Sequence, residues 1–200
     1  MADPIDMYFD FASPYGYLAL FRIDAIAEKH ERSVNWRPYL LGAVFQHNGQ
    51  RSLVEQPLKG EYSLHDLERS ARLHGVTFKM PEPFPIPTVA AGRVFYFLHD
   101  RDEQLARDFA KAAMTAFFAD GIDIRPRETV AEIAGGLGAD VQACIDATND
   151  QSYKDRLRDE TQAAMDRGAF GSPYFIVDGE PFWGCDRMDM MDRWLERGGW

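Results

Sequence analysis

The chain is short of cysteine, and what it has is in no reactive arrangement. Two of its 200 residues are cysteines, Cys144 and Cys185, and they form no CxxC pair. Disulfide exchange by the protein's own thiols is therefore excluded, since that chemistry needs paired thiols. A disulfide framework is excluded too; of one bridge or two buried thiols in a reducing compartment, the second is expected. Positive charge is also in deficit. Lys and Arg number 22 against 32 Asp and Glu, giving a net charge of -10. No basic patch offsets this, which argues against a nucleic-acid partner. Any anionic ligand must be held by local positive groups against an unfavourable field. No apolar run approaches the length of a bilayer, so no membrane partner is expected. No N-terminal stretch combines a charged start, an apolar segment and a small-residue cleavage site, so a cytoplasmic location is expected. The five histidines show no metal-ligand spacing, and no metal is expected. There is no GxSxG elbow, no internal repeat and no low-complexity segment. Gly135-Gly136-Leu137-Gly138 follows no strand and reads as a helix stop.

What is present is ordered. Ile5 to Phe11 is short, aromatic and roughly alternating, which predicts a strand. Tyr17, Leu18, Phe21, Ala25 and Ile26 then recur at helical spacing. Ser33 to Leu40 predicts a second strand, and strand–helix–strand defaults to a right-handed parallel unit. From Gly42 to about Lys59 the composition predicts a loop with at most short helical turns. Helices are expected from Ser63 to Gly75, Thr88 to His99, Glu103 to Asp120, Pro126 to Leu137, Ala139 to Ala147 and Ser152 to Arg167. Met80 to Pro87 is proline-rich and extended. Tyr174 to Val177, the turn Asp178-Gly179 and Pro181 to Trp183 predict a hairpin, and Asp189 to Arg197 a closing helix. Strands at both ends with helices between them suit one α/β domain interrupted by a helical insertion. The expected division is 1–42 with 168–200 for the α/β part and 43–167 for the insertion.

Four clusters can carry chemistry. Asp10-Phe11-Ala12-Ser13-Pro14-Tyr15 places Ser13 at a helix N-cap and Pro14 at the first helical position. Gly171-Ser172-Pro173 precedes a strand, where a proline lacking an N–H belongs. Phe182-Trp183-Gly184-Cys185-Asp186-Arg187 leads into the last helix. Pro57-Leu58-Lys59-Gly60-Glu61-Tyr62-Ser63-Leu64-His65-Asp66 opens the first inserted helix. Each also has a plain structural reading. Ser13 and Asp186 serve as caps, Lys59 is a solvated charge, Asp66 closes a capping box with Ser63, and Cys185 is a small buried filler.

The pattern F-D-F-x-S-P-Y-x-Y-L, with W-G-x-D-R near the C-terminus and K-G-x-Y…D between, resembles the 2-hydroxychromene-2-carboxylate isomerases and the kappa-class glutathione transferases. These are thioredoxin-fold proteins in which a serine replaces the active cysteine. The resemblance implies a thioredoxin-like βαβ…ββα domain with an all-helical insertion, glutathione as cofactor, and a homodimer. It implies that Ser13 hydrogen-bonds the glutathione sulfur, and that Ser172 meets the cysteinyl backbone beside a cis Pro173. Trp183, Gly184, Cys185, Asp186 and Arg187 would meet the γ-glutamyl end. Lys59, helped by Gln50 where the family often has Asn, would meet the glycyl carboxylate. Asp66 would reach the γ-glutamyl part across a dimer interface.

On the substrate side the resemblance weakens. Gln46 stands where the isomerases often have Lys, and Pro87 where they often have Asn, while Arg93 keeps the family's Arg. Phe11, Tyr15, Phe84 and Trp183 are candidate walls for an aromatic ring, or else core. The implied activity converts 2-hydroxychromene-2-carboxylate to trans-o-hydroxybenzylidenepyruvate, in aromatic hydrocarbon catabolism. It proceeds by reversible addition of the glutathione sulfur to this small aromatic carboxylate. The alternatives are a kappa-type transferase that releases a conjugate and a non-catalytic glutathione-binding module. The energetics are adequate. A thiol titrates at about 8.5, and a hydrogen bond to a charged group contributes about 1.5–3 kcal/mol. At about 1.36 kcal/mol per pKa unit, Ser13 would lower that value by roughly one or two units.

Overall fold

A computed structural model describes residues 3–200. Strand β1 (Ile5–Phe9) is buried at every position, because both of its faces are covered. It pairs in parallel with β2 (Val34–Pro38) and antiparallel with β3 (Tyr174–Val177). β3 pairs antiparallel with β4 (Glu180–Trp183), giving the sheet order β2-β1-β3-β4. The two ends of the chain thus build one mixed sheet, as the βαβ…ββα reading expects.

The helices follow the predicted series, with three differences. The expected single helix after Ser13 is broken into α1 (Pro14–Leu20) and α2 (Ile23–Lys29). The turn at Phe21-Arg22 is closed by Arg22 N–H donating to Ala19 O at 3.0 Å. The Arg22 side chain there reaches Cys185 O and Asp189. Second, the stretch expected to be a loop contains α3 (Leu41–Asn48), ended by Gly49 at φ 66°, followed by a single turn at Leu53–Glu55. α3 packs on α9 (Gln151–Asp166), and this tertiary contact outweighs its weak local signal. Third, α4 runs Lys59–His74, starting four residues before the expected Ser63. Ser63 is inside the helix and donates back to Lys59 O, a bond that replaces its predicted capping role.

The remaining helices are α5 (Val89–His99), α6 (Glu103–Phe118), α7 (Arg127–Gly135), α8 (Val141–Asn149) and α10 (Met188–Arg197). One continuous core joins the sheet to these helices: Phe9, Phe11 and Trp36 pack with Phe95 and Phe109. A smaller cluster of Tyr8, Tyr39, Val44, Ala164 and Tyr174 fills the opposite sheet face under α9. Charge at the edge of that second face is organised around Asp6, which accepts from Asn35, Arg37 and Arg167.

Candidate functional site

The end of β1 and the start of α1 meet the turn before β3. Ser13 caps α1 with extended backbone, and its Oγ accepts from Gly16 N–H at 3.0 Å. The same hydroxyl donates to Ser172 O at 2.8 Å, across 159 residues of sequence. The Ser172–Pro173 bond is cis, as expected. The Ser172 hydroxyl in turn accepts from Asp10 N–H at 3.0 Å. Both serines are buried. Gly16 is what lets the three segments close: a Cβ there would lie 3.1 Å from each serine oxygen. In the first turn of α1, Pro14 has no N–H, and Gly16 and Tyr17 donate to Ser13. The Tyr15 N–H is left without an intrachain acceptor among the described residues.

Sequence reasoning did not single out Asp10, whose N–H donates to the Ser172 hydroxyl. It is buried, and its carboxylate accepts from Ala12 N–H (2.8 Å), Thr88 Oγ1 (2.9 Å) and Leu41 N–H (2.7 Å). Burial pushes its pKa up, and the three donors pull against that without reversing it. Asp10 therefore ties β1 to the starts of α3 and α5. The available signal was an acid between Phe9 and Phe11, since a buried carboxylate demands donors. Thr88 accordingly spends its hydroxyl on Asp10 rather than on capping α5.

The C-terminal motif joins the same place. Gly184 N–H donates to Pro173 O at 3.0 Å, and Gly184 takes φ 101°. The turn Cys185–Arg187 and then α10 follow. Asp186 caps neither of them; its carboxylate pairs with Arg187 at 2.8 Å on the surface. Trp183 is half exposed and leans on Gly171, where a Cβ would come within 2.2 Å of its Nε1. Cys185 is buried, and burial pushes its thiol up to about 12, consistent with a packing role. Cys144 is also buried and free, so the two thiols are not bridged.

On α4, Asp66 accepts from the Tyr15 hydroxyl at 3.0 Å and pairs with Arg69. It is not half of a capping box, because Ser63 is inside the helix. Burial and the Asp66 carboxylate raise the Tyr15 phenol well above its ordinary value. Lys59 is exposed at the first turn of α4 and is in no ion pair among the described residues. Gln46 and Gln50 are exposed at the end of α3 and just beyond it.

Two of the expected substrate walls pack against neighbouring aromatic residues. Phe11 is 1% exposed among Phe9, Phe95 and Phe109 and takes the core reading. Phe84 is half-buried against Phe117 and Phe118. Arg93 also lies apart from the serines. It donates to Thr148 O at 2.7 Å and lines a cavity against α9.

This arrangement of β1, a serine-capped helix and a cis-proline turn defines a thioredoxin-type site without its cysteines. The chain belongs to the DsbA-like thioredoxin domain family, whose model matches residues 4–196. Among characterised proteins it is similar to a 2-hydroxychromene-2-carboxylate isomerase of Sphingobium xenophagum, 29% identical over 98% of this chain and 99% of the relative. It is also 26% identical to glutathione S-transferase kappa 2 of Caenorhabditis elegans, over 96% of this chain and 91% of that one. A solved 2-hydroxychromene-2-carboxylate isomerase superposes with a TM-score of 0.87 at 27% identity, covering 96% and 94% of the two chains. The chain is thus related to 2-hydroxychromene-2-carboxylate isomerases and to kappa-class glutathione S-transferases.

Proposed function

We propose that the protein is a glutathione-dependent isomerase of 2-hydroxychromene-2-carboxylate or a closely related ring-fused aromatic carboxylate. The observation that carries this reading is the Ser13 hydroxyl, 2.8 Å from the carbonyl of Ser172. Ser13 has one proton, and here it lies on that carbonyl. To donate to a sulfur, Ser13 must turn its O–H away from Ser172. The Ser172 carbonyl then needs another donor, because an unsatisfied buried carbonyl costs about 1–3 kcal/mol. A cysteinyl peptide brings both a sulfur for Ser13 and an amide N–H for Ser172, whereas a simple thiol brings only the first. The Tyr15 N–H is a second donor beside Ser13. These residues fit glutathione: the Ser13 hydroxyl and Tyr15 amide as donors to a thiolate, and the Ser172 carbonyl as partner for the cysteinyl amide. When bound, glutathione supplies the sulfur nucleophile that this chain lacks.

In this reading Ser13 and the Tyr15 amide hold the sulfur anionic. The Ser172 backbone sets its orientation. Asp10 keeps Ser172 in place through its own N–H. Lys59, assisted by Gln50, holds the glycyl carboxylate, and the Asp186–Arg187 pair opens to take the ammonium and carboxylate of the γ-glutamyl end. Tyr15 and Trp183 flank the ring, with Gln46 at the substrate side. Two copies pair through α4, where Leu58, Tyr62 and Leu73 line one exposed face. Leu58 is held outward at φ 68°, with Lys59 N–H donating to Pro57 O at 2.7 Å, a strained turn of the γ type.

The test is turnover of 2-hydroxychromene-2-carboxylate with thiols of graded complexity. Full conversion with sub-stoichiometric glutathione, and poor activity with 2-mercaptoethanol, is the expected result. Consumption of glutathione into a conjugate would instead establish the transferase reading, which the kappa-class relatives favour. Binding without turnover would leave only a glutathione-binding module.

A further inference from the structure

The turn that carries Asp186 and Arg187 is held from two directions. On one side Gly184 N–H donates to Pro173 O at 3.0 Å. On the other, Cys185 O accepts from the Arg22 guanidinium at 3.3 Å, across 163 residues of sequence. Arg22 also pairs with Asp189, in the first turn of α10. His74, at the end of α4, faces the same guanidinium; burial and the Arg22 charge hold its pKa below the ordinary value. Arg22 is half-buried among these groups.

Arg22 stands where α1 gives way to α2. No glycine or proline lies between Tyr17 and Lys29 to cause that break locally. Ser13 caps the other end of α1, a helix of seven residues. A rod of about 10 Å, at 1.5 Å per residue, therefore separates the serine from the arginine that grips the C-terminal turn. Asp186 and Arg187 are exposed and pair with each other on that turn. Their place relative to Ser13 is thus set by the turn's anchors rather than by packing of their own side chains.

We propose that Arg22 is a positioning residue that makes the serine site selective for thiols bearing a γ-glutamyl group. This rests on the reading above, in which Asp186 and Arg187 meet that end of glutathione. Arg22 acts only through the turn. A turn fixed before binding presents its two charges without an ordering cost, and that saving appears as affinity. A thiol without the γ-glutamyl group gains nothing from it. Removing the guanidinium strands no carbonyl, because Met188 N–H also donates to Cys185 O.

The experiment is calorimetric titration of the whole protein with glutathione and with N-acetylcysteinylglycine. The second keeps the thiol, the cysteinyl amide and the glycyl carboxylate but lacks the γ-glutamyl charges. The wild type should bind glutathione at least tenfold tighter. Arg22→Met should bring glutathione to within threefold of the truncated thiol and leave the truncated thiol within twofold of its wild-type affinity. In the ligand-free variant the Arg187 and Met188 amides, which close the turn, should exchange at least tenfold faster. The Gly16 and Tyr17 amides, bonded to Ser13, should keep their wild-type rates. If the wild type binds both thiols equally, the γ-glutamyl reading has failed and the proposal falls with it. If the wild type discriminates and Arg22→Met discriminates as well, that reading stands and the proposal alone is overturned. Equal weakening of both thiols, or unchanged exchange at the turn, would also overturn it. Should Arg22→Met not fold, Arg22→Lys decides: it keeps a charge for Asp189 but lacks the planar fork. A several-fold loss for glutathione alone is then expected, and no loss of selectivity would overturn the proposal.

Discussion

The serine site and the Arg93 cavity lie on either side of one carboxylate, Asp10, and they treat polar groups in opposite ways. At the serine site the buried groups are nearly all partnered. Ser13 both donates and accepts, Ser172 accepts from Asp10 N–H, and Asp10 takes three donors. At the cavity the Arg93 Nε is buried with no partner among the described residues, and Arg93 is in no ion pair among them. A saturated site can bind only by exchanging hydrogen bonds, which makes it selective for ligands that replace what they break. An unsaturated site binds by adding interactions, which makes it tolerant of shape and sensitive to charge.

Four changes test that contrast. Ser13→Ala removes the exchanging hydroxyl, and turnover with glutathione should fall by about 100-fold, a size typical of losing one positioned donor. Stability should drop by only about 1 kcal/mol, the usual worth of a cap, measured by urea unfolding. If activity survives, the exchange picture fails. Asp10→Asn comes next. The amide must point an N–H at a backbone N–H, so a loss of about 2 kcal/mol is expected.

The same variant carries a pH signature. Burial raises the Asp10 pKa above its ordinary 3.8, so the folded chain binds that proton more tightly than the unfolded one. Its contribution to stability is fully present below 3.8 and declines as pH rises through the folded value. Asp10→Asn should flatten that part of the stability-versus-pH curve; an unchanged slope would show that Asp10 does not titrate there.

Gly16→Ala introduces a methyl 3.1 Å from both serine oxygens. A loss of about tenfold in kcat/KM, with little change in unfolding midpoint, is expected, because a misplacement of this kind acts on geometry. The smallest effect belongs to the cavity. Arg93→Met should change stability by less than about 1 kcal/mol, since removing an uncompensated buried charge offsets the lost bond to Thr148. A large destabilisation would mean that Arg93 is a structural prop and would erase the contrast.

Much of this architecture was readable in the sequence where signals are local. Ser13-Pro14 reads as a capped helix start, Asp178-Gly179 as a hairpin turn, and Ser172-Pro173 as the entry to a strand. All three describe the molecule, because caps, turns and proline constraints act over three or four residues. The errors fell where distant residues intervene. Gly42 to Asn48 becomes α3 by packing on α9. The helix after Ser13 breaks where Arg22 reaches the C-terminal turn. Phe11, readable as either wall or core, is committed to the core by Phe95 and Phe109.

The sequence by itself determined the order of elements, the lack of a protein thiol at the head of α1, and the identity of the hydroxyl that stands there. Only the tertiary structure decided that this hydroxyl meets Ser172, that Asp10 holds both neighbours, and that Arg93 faces a different cavity. The reason is physical: a residue's chemistry and local conformation travel with the chain. Partners 78 or 159 positions away are chosen by how the sheet and helices pack.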